Sequence, residues 1–271
     1  MKFYKSITIL MACLILLSCN KKNEYKVFIF SGQSNMVGIG QANELNDTLS
    51  KLPENLLYYR QCNPEKAQKL TSFTDGIQTF GPEVSFSNKI KNTFPNDSII
   101  IIKCALGGTS LYNGFYPKGS NEERASTVIA GKDRYNWYSK LISIVKEATK
   151  GRKCSFEGIF WMQGERDCRF EKAATEYAEN LKFLADTLRS DLNSPNLLFV
   201  SGRVNPPKDE RYIYQDLVRK AHENLEQHSP PAAWINCDKL GKQADKLHYN
   251  TKGQLKLGEL FAEKYFENRS R

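Results

Sequence analysis

Phe28-Ile29-Phe30-Ser31-Gly32-Gln33-Ser34-Asn35-Met36 is the stretch on which the fold turns. The run from Val27 to Phe30 is short and wholly apolar, the pattern of a strand buried on both faces. It breaks at once into small and polar residues, so Ser34 lands just past the carboxyl end of that strand. A helix starting there turns its positive end toward the same spot. Open α/β sheets bind and react along that edge. Ser34 alone has two readings, a nucleophile or a helix cap, since Ser is a favoured N-cap.

Outward from this strand, which spans about Tyr25 to Phe30, the chain alternates apolar runs with amphipathic ones. Val37 to Phe80 is a long polar stretch, and Leu56 to Tyr59 within it reads as an extra strand. A helix is expected from Pro82 to about Asn92, with Pro at its first turn. Ser98 to Cys104 is an isoleucine-rich strand leading into Gly107-Gly108. A second long loop holds Tyr112, Phe115 and Tyr116, and a helix is expected over about 133–150. Phe156 to Met162 is the third strand, followed by Gln163-Gly164-Glu165-Arg166-Asp167. A long helix from Glu171 to Leu192 precedes strand four, Asn196 to Val204. A helix from Arg211 to Gln227, strand five over Ala232 to Cys237, and a helix from Thr251 to Asn268 complete the chain. Five alternations predict one parallel sheet with helices on both faces, a three-layer α/β/α sandwich of about five parallel strands.

The first residues are expected to lie outside this domain. Lys2 and Lys5 precede an apolar run, Ile7 to Leu17, that is too short to span a bilayer. It ends Leu16-Leu17-Ser18-Cys19, similar to the bacterial lipobox, in which the cysteine is acylated. The expectation is a lipoprotein-type signal over 1–18, lipidation at Cys19, a polar tether over 19–25 and one domain over 26–271. Such a chain is exported and held to a cell-envelope membrane by its lipid anchor alone. The alternative is an ordinary secretory signal cut near Ser18.

The chain has 271 residues and a formal charge of +9, two charges of which (Lys2 and Lys5) leave with the signal. The rest is spread as single and paired lysines, with no arginine-rich run that would mark a nucleic-acid groove. Cysteines outside the signal are Cys62, Cys104, Cys154, Cys168 and Cys237. None forms a CxxC pair or stands near a histidine at metal-ligand spacing. Cys104, Cys154 and Cys237 read as small core residues. A Cys62–Cys168 bridge between loops stays open for an exported protein.

The carboxyl ends of the strands collect the chemistry. Ser34 follows strand one, Gly107 and Gly108 strand two, Gln163, Glu165 and Asp167 strand three, and Asp245 and His248 strand five. Of the three histidines, His222 and His228 fall among polar neighbours and read as surface residues. In Asp245-Lys246-Leu247-His248 the carboxylate can fold back onto the imidazole Nδ1, leaving Nε2 to take a serine proton. Backbone N–H groups of Ser34 and of Gly107 or Gly108 can meet an oxyanion, and the Gln163 amide can supply a third donor. Glu165 and Asp167 read as groups that orient Gln163 or a loop, or as simple surface charges. A carboxylate pair for glycoside hydrolysis is also formally available there, but it would leave Ser34 and His248 without a role.

Four blocks in order, Gly32-Gln33-Ser34-Asn35-Met36, Ala105-Leu106-Gly107-Gly108-Thr109, Trp161-Met162-Gln163-Gly164-Glu165 and Asp245-Lys246-Leu247-His248, resemble the SGNH-superfamily carbohydrate acetylesterases. The resemblance is to the sialate O-acetylesterase and acetylxylan esterase branch, and it spans Lys26 to about Phe266. It implies a flavodoxin-like sandwich that hydrolyses O-acetyl esters on sugars, with no metal or organic cofactor. By position it implies Ser34 as nucleophile, His248 as base and Asp245 as its partner. The implied oxyanion hole is the Ser34 N–H, the Gly108 N–H (ahead of Gly107) and the Gln163 side chain, with Gln33, Asn35 and Glu165 in support. Two other functions remain open: a lipase or thioesterase acting on other acyl esters, and a non-catalytic, lipid-anchored carbohydrate-binding protein. Tyr112, Phe115, Tyr116 and Tyr135 suit stacking on sugars or lining an acyl pocket.

Overall fold

The computed structural model describes residues 24–74, 76, 78–127 and 136–269. The signal, Cys19, the tether up to residue 23 and Tyr135 lie outside the described residues. Seven strands form the main sheet: β1 (Tyr25–Gly32), β2 (Leu56–Gln61), β3 (Gln68–Leu70), β4 (Ser98–Ala105), β5 (Cys154–Met162), β6 (Leu198–Arg203) and β7 (Ala232–Asn236). Their order is β3-β2-β4-β1-β5-β6-β7. All neighbours pair in parallel except β3, which runs antiparallel at the edge. The parallel strands number six rather than about five, because Leu56–Gln61 joins outside β4. From β4 to β7 the order is the flavodoxin-like one, with the direction of winding reversing at β1.

The helices flank this sheet: α1 (Ser34–Val37), α2 (Glu83–Thr93), α3 (Trp137–Thr149), α4 (Tyr177–Asp191), α5 (Gln215–His228) and α6 (Thr251–Arg269). Phe28 and Phe30 share one face of β1 because side chains alternate along a strand. They pack against Phe86 of α2 and Phe160 of β5, and Tyr265 and Phe261 of α6 close this layer. Trp161 points to the other face, edge-on to Phe115. Among the described residues no helix is long and apolar enough to cross a membrane.

Two expected helices are interrupted. Glu171–Leu192 divides into Glu171–Thr175 and α4, and Arg211–Gln227 into a 3-10 turn, Glu210–Tyr212, followed by α5. The Cys62–Cys168 bridge that the sequence left open is absent, since both thiols are free. Cys62 follows β2 and Cys168 follows β5, with β4 and β1 between them. Three strand spacings of about 4.8 Å exceed the roughly 7 Å limit for a disulfide's Cα atoms. Cys104 and Cys237 are core residues as expected, and Cys154 is half-buried.

His222 is likewise not on the surface but fully buried, its ring 5.3 Å from that of Tyr177. Val218, Ala221, His222 and Leu225 form the buried stripe of α5. Burial pushes the imidazole down to about 3, so it stays neutral. His222 takes no part in the pocket described next.

Candidate active site

The register of the central strands sets the site. Gly32 at the end of β1 stands level with Ala105 of β4 and Met162 of β5. The three segments that follow therefore start from one line. Gly32 has φ +146°, and a Cβ there would stand 2.1 Å from the Met162 carbonyl oxygen. Only glycine lets the chain leave the sheet this way. Gln33 N–H then donates to the Met162 carbonyl (2.9 Å), and α1 begins at Ser34.

His248 arrives from the other end of the chain. The loop before α6 is closed by Gln243 N–H to the His248 carbonyl (2.8 Å) and Asn250 N–H to the Gly241 carbonyl (3.0 Å). Lys246 at its tip takes a left-handed conformation, φ +57°. The turn folds Asp245 back as its spacing predicts. Asp245 Oδ1 accepts from the N–H groups of Leu247 (2.9 Å) and His248 (3.0 Å), and Oδ2 lies 2.6 Å from His248 Nδ1. Burial opposes ionisation of Asp245, but these donors outweigh it and hold the carboxyl below its usual range. An ionised carboxylate only accepts, so Nδ1 carries the proton and Nε2 is left as an acceptor. Nε2 lies 3.0 Å from Ser34 Oγ.

Gly107 and Gly108 border the same place. A Cβ on Gly107 would stand 3.4 Å from the Ser34 Cβ, and Gly108 holds φ +75° with open space where its Cβ would be. Among the described residues, no acceptor engages the N–H groups of Ser34, Gly107 or Gly108. Ser34, His248, Gly107 and Gly108 line one cavity of about 420 Å³.

Gln163 is placed differently from the expectation of a third oxyanion donor. It is fully buried and does not line the cavity. Its Nε2 donates to Asp167 Oδ2 (2.6 Å), Gln33 Oε1 (3.1 Å) and the Thr109 carbonyl (3.1 Å), while Oε1 accepts from Tyr177 OH (2.9 Å). Asp167 also accepts from the N–H groups of Leu111 (3.0 Å) and Tyr112 (2.9 Å). Gln163 and Asp167 thus hold the loop after β4 in place, which shapes Gly107-Gly108 from behind. Spacing alone put Gln163 at the rim, and only its partners decide which way the amide faces.

Gln33, Asn35 and Glu165, the residues expected to support the site, bond to the segments around it. Gln33 Oε1 also accepts from the Gly164 (3.4 Å) and Arg166 (3.2 Å) N–H groups. Asn35 Nδ2 donates to Glu165 Oε1 (2.7 Å) and the Leu247 carbonyl (3.3 Å), and its Oδ1 accepts from Tyr249 N–H (3.0 Å). Glu165 lines the cavity while being almost wholly buried, and that burial raises its pKa.

The expected sugar-facing aromatics are elsewhere. Tyr112 and Phe115 are buried, and Tyr116 packs on Phe183 of α4. None of the three lines the cavity. Its walls come instead from Tyr212, Leu247, Arg166 and Arg169, which sequence reading did not single out. Arg166 and Arg169 flank Asp167 in the block after β5, and that position was the available signal.

Comparison with known proteins assigns the chain to a family. Residues 24–267 match the family model described as "SASA: Carbohydrate esterase, sialic acid-specific acetylesterase". This chain belongs to that family of carbohydrate esterases. Members of the family are carboxylic ester hydrolases. Over 265 residues, 90% of this chain and 91% of its counterpart, the family member is 28% identical to the probable carbohydrate esterase At4g34215 of Arabidopsis thaliana. The crystal structure of that plant protein superposes with a TM-score of 0.69 at 23% identity, covering 90% and 99% of the two chains. A NanS structure gives 0.66 at 15% identity, covering 92% and 99%. XAC1771, a carbohydrate acetylesterase from Xanthomonas citri, gives 0.65 at 16% identity, covering 88% of this chain and 55% of that one. These likenesses share the fold: a mostly parallel sheet between helical layers.

Proposed function

We propose that this esterase removes O-acetyl groups from carbohydrates by two-step acyl transfer, with Ser34 as nucleophile, His248 as general base and Asp245 as its partner. The observation that carries the reading is the unbroken line from Asp245 Oδ2 through the imidazole to Ser34 Oγ, 2.6 Å and 3.0 Å long, opening into the cavity. Nε2 takes the Ser34 proton as Oγ bonds to the acetyl carbonyl carbon. The carbonyl oxygen becomes an oxyanion that accepts from the Ser34 and Gly108 N–H groups, with Gly107 N–H alongside. Each such donor is worth roughly 3 kcal/mol in the transition state. Collapse breaks the bond to the sugar oxygen, which leaves with the proton from Nε2. Water, deprotonated by the same nitrogen, then releases acetate and restores Ser34. A cavity of about 420 Å³ is of the size that holds small-molecule ligands.

The test is acetate release from acetylated xylan, acetylated pectin and O-acetyl sialic acid, run beside Ser34→Ala. The wild type is expected to release acetate and to be labelled at Ser34 by a fluorophosphonate, and the variant to do neither. Acetate release at the wild-type rate by Ser34→Ala would remove Ser34 from the chemistry. The mechanism needs no metal, so EDTA is expected to leave the rate unchanged. Acetyl p-nitrophenyl ester is expected to outrun the octanoyl ester. We further propose, on the Leu16-Leu17-Ser18-Cys19 block, that Cys19 is lipidated and tethers the domain to a bacterial cell-envelope membrane.

A further inference from the structure

The amino edge of the sheet, opposite the cavity, gathers a second set of charged side chains. Tyr25 at the start of β1 stands level with Ser98 of β4 and Cys154 of β5. The turns that enter those strands, 94–97 and 150–153, therefore border the first residues of β1. Tyr25 N–H donates to the Lys153 carbonyl (2.9 Å), which ties one turn in place. Lys91 Nζ donates to the carbonyls of Pro95 (2.7 Å) and Asp97 (3.0 Å), which fixes the other. Cations lie over two half-buried rings here. Arg152 stands 5.8 Å from the Tyr25 ring centre, and Lys26 and Arg269 stand 5.8 Å and 4.6 Å from that of Phe94. Arg152 Nη1 also donates to the Ala148 carbonyl of α3 (3.0 Å), so its side chain is held.

Positive charge exceeds negative charge at this corner. Lys26 is spent on Asp97 and Glu157, each at 3.6 Å, and Lys153 on Glu24 at 3.6 Å. Glu267 of α6 is taken by Lys264 at 2.7 Å, and Lys146 and Glu147 near the end of α3 offset each other. Lys150, Arg152 and Arg269 meet no carboxylate among the described residues. The sequence ahead of them adds Lys21 and Lys22, and Cys19 stands six positions before Tyr25. Six residues extend at most about 20 Å, so a lipid on Cys19 keeps this corner within that reach of the headgroups. Cations beside partly exposed aromatic rings are the side chains that a charged lipid interface takes up. A guanidinium presents planar paired donors that match a phosphate.

We infer that the corner formed by Tyr25, Phe94, Lys150, Arg152 and Arg269 is a docking surface for anionic phospholipid headgroups. This goes beyond the esterase reading, and it rests on the proposed lipidation of Cys19 only for the side of the domain that meets the membrane. The lipid supplies attachment, and the corner adds a second contact that sets how the domain stands. A zwitterionic surface has no net charge to answer the three cations. The contact is weak by itself, since each Lys or Arg near an anionic surface changes binding by about five-fold.

The experiment takes the mature chain from residue 19 with Cys19→Ser, so that no lipid masks the contact. It is mixed in about 0.1 M NaCl with vesicles of phosphatidylglycerol and phosphatidylcholine in equal parts, and separately with vesicles of phosphatidylcholine alone. The chain is expected to sediment with the first and not with the second, and to be released in about 0.5 M NaCl, where screening is short-ranged. Lys150→Gln, Arg152→Gln and Arg269→Gln together should weaken binding by about a hundred-fold, and an unchanged rate on p-nitrophenyl acetate shows that the variant folds. Lys208→Gln, Lys239→Gln and Lys252→Gln remove the same charge from exposed positions toward the carboxyl edge. They should leave binding within about two-fold. Hydrogen exchange on the anionic vesicles needs no variant, and it should show protection over 94–97 and 150–153 and none over 245–248. Equal binding to both vesicles, binding to neither, equal loss in the two triple variants, or protection over 245–248 instead would overturn the docking surface. A wild type that stays out of detergent, beside a Cys19→Ser chain that docks as described, would strike the lipidation of Cys19 and leave the surface standing.

Discussion

Asn35 stands directly after Ser34, and its one amide grips the loop of His248 from both sides. Tyr249 N–H donates to its Oδ1, while its Nδ2 donates to the Leu247 carbonyl and to Glu165. The bonds to Tyr249 and Leu247 join parts of the chain more than two hundred positions apart, so the 3.0 Å between Ser34 and His248 depends on them. Asn35→Ala is expected to lower kcat by about ten- to a hundred-fold with KM little changed, because misplacing a reacting group by an ångström costs on that order. Glu165→Gln keeps an acceptor for Asn35 and should lose less than Glu165→Ala. Steady-state kinetics with circular dichroism checks both, and wild-type turnover in Asn35→Ala would sink the coupling. Gln163 makes the contrasting case. Its amide is engaged with Asp167, Gln33 and Thr109, so Gln163→Ala is expected to destabilise the fold by about 1–3 kcal/mol, the cost of leaving buried polar groups unpaired. Urea unfolding measures that loss. The place of Ser34 at a strand end and the pairing of Asp245 with His248 were readable in the sequence because each follows from a local rule, the latter a three-residue turn. Gln163 was misread because a side chain's direction depends on partners far away in sequence.

Between strand and helix lies a buried ion pair that no periodicity announces. Lys103 on β4 is wholly buried, and its Nζ donates to Glu83 Oε1 of α2 at 2.6 Å and to the Val37 carbonyl at 2.9 Å. Tyr58 OH and Gly81 N–H also reach Glu83 Oε1, at 3.1 Å and 3.3 Å. The lysine thereby props the carboxyl end of α1, the helix that begins at Ser34. Val37 to Phe80 hides the cause from sequence reading, since the chain must fold α2 back beneath α1 before Glu83 meets Lys103. The isoleucines before Lys103 marked β4 as buried but gave no sign that the lysine is buried with them. Lys103→Met alone leaves an unpaired carboxyl in the core and should cost about 3–5 kcal/mol. Lys103→Met with Glu83→Gln removes both charges and should recover much of that loss. Equal destabilisation in the single and double variants, measured by thermal unfolding, would show that the pair is not coupled.

At the scale of the whole molecule the sheet gives the domain two unlike edges. The carboxyl edge carries the cavity, because Gly32, Ala105 and Met162 end in register. The amino edge carries the start of β1 at Tyr25, six positions after Cys19. Alternation of apolar and amphipathic runs was enough to predict this sandwich, since each parallel strand must be covered on both faces. What it could not supply was the wall of the cavity: Tyr112 and Phe115 turned inward, and Tyr212, Arg166 and Arg169 took that place. Loops are aimed by packing rather than by period. The two edges bear on the proposed anchor. Six residues extend at most about 20 Å, so a lipid on Cys19 would hold the amino edge near the membrane and turn the cavity away from it. Anchoring is therefore expected to cost no activity on a soluble acetylated polymer. Full-length chain made in a host that lipidates such signals should partition into detergent, and Cys19→Ser should move it to the aqueous phase. The two forms should show the same kcat/KM on that polymer, within about two-fold. A lipidated form much slower on the polymer, yet equal to Cys19→Ser on p-nitrophenyl acetate, would mean that the membrane obstructs the cavity and that the tether does not hold the domain by its amino edge.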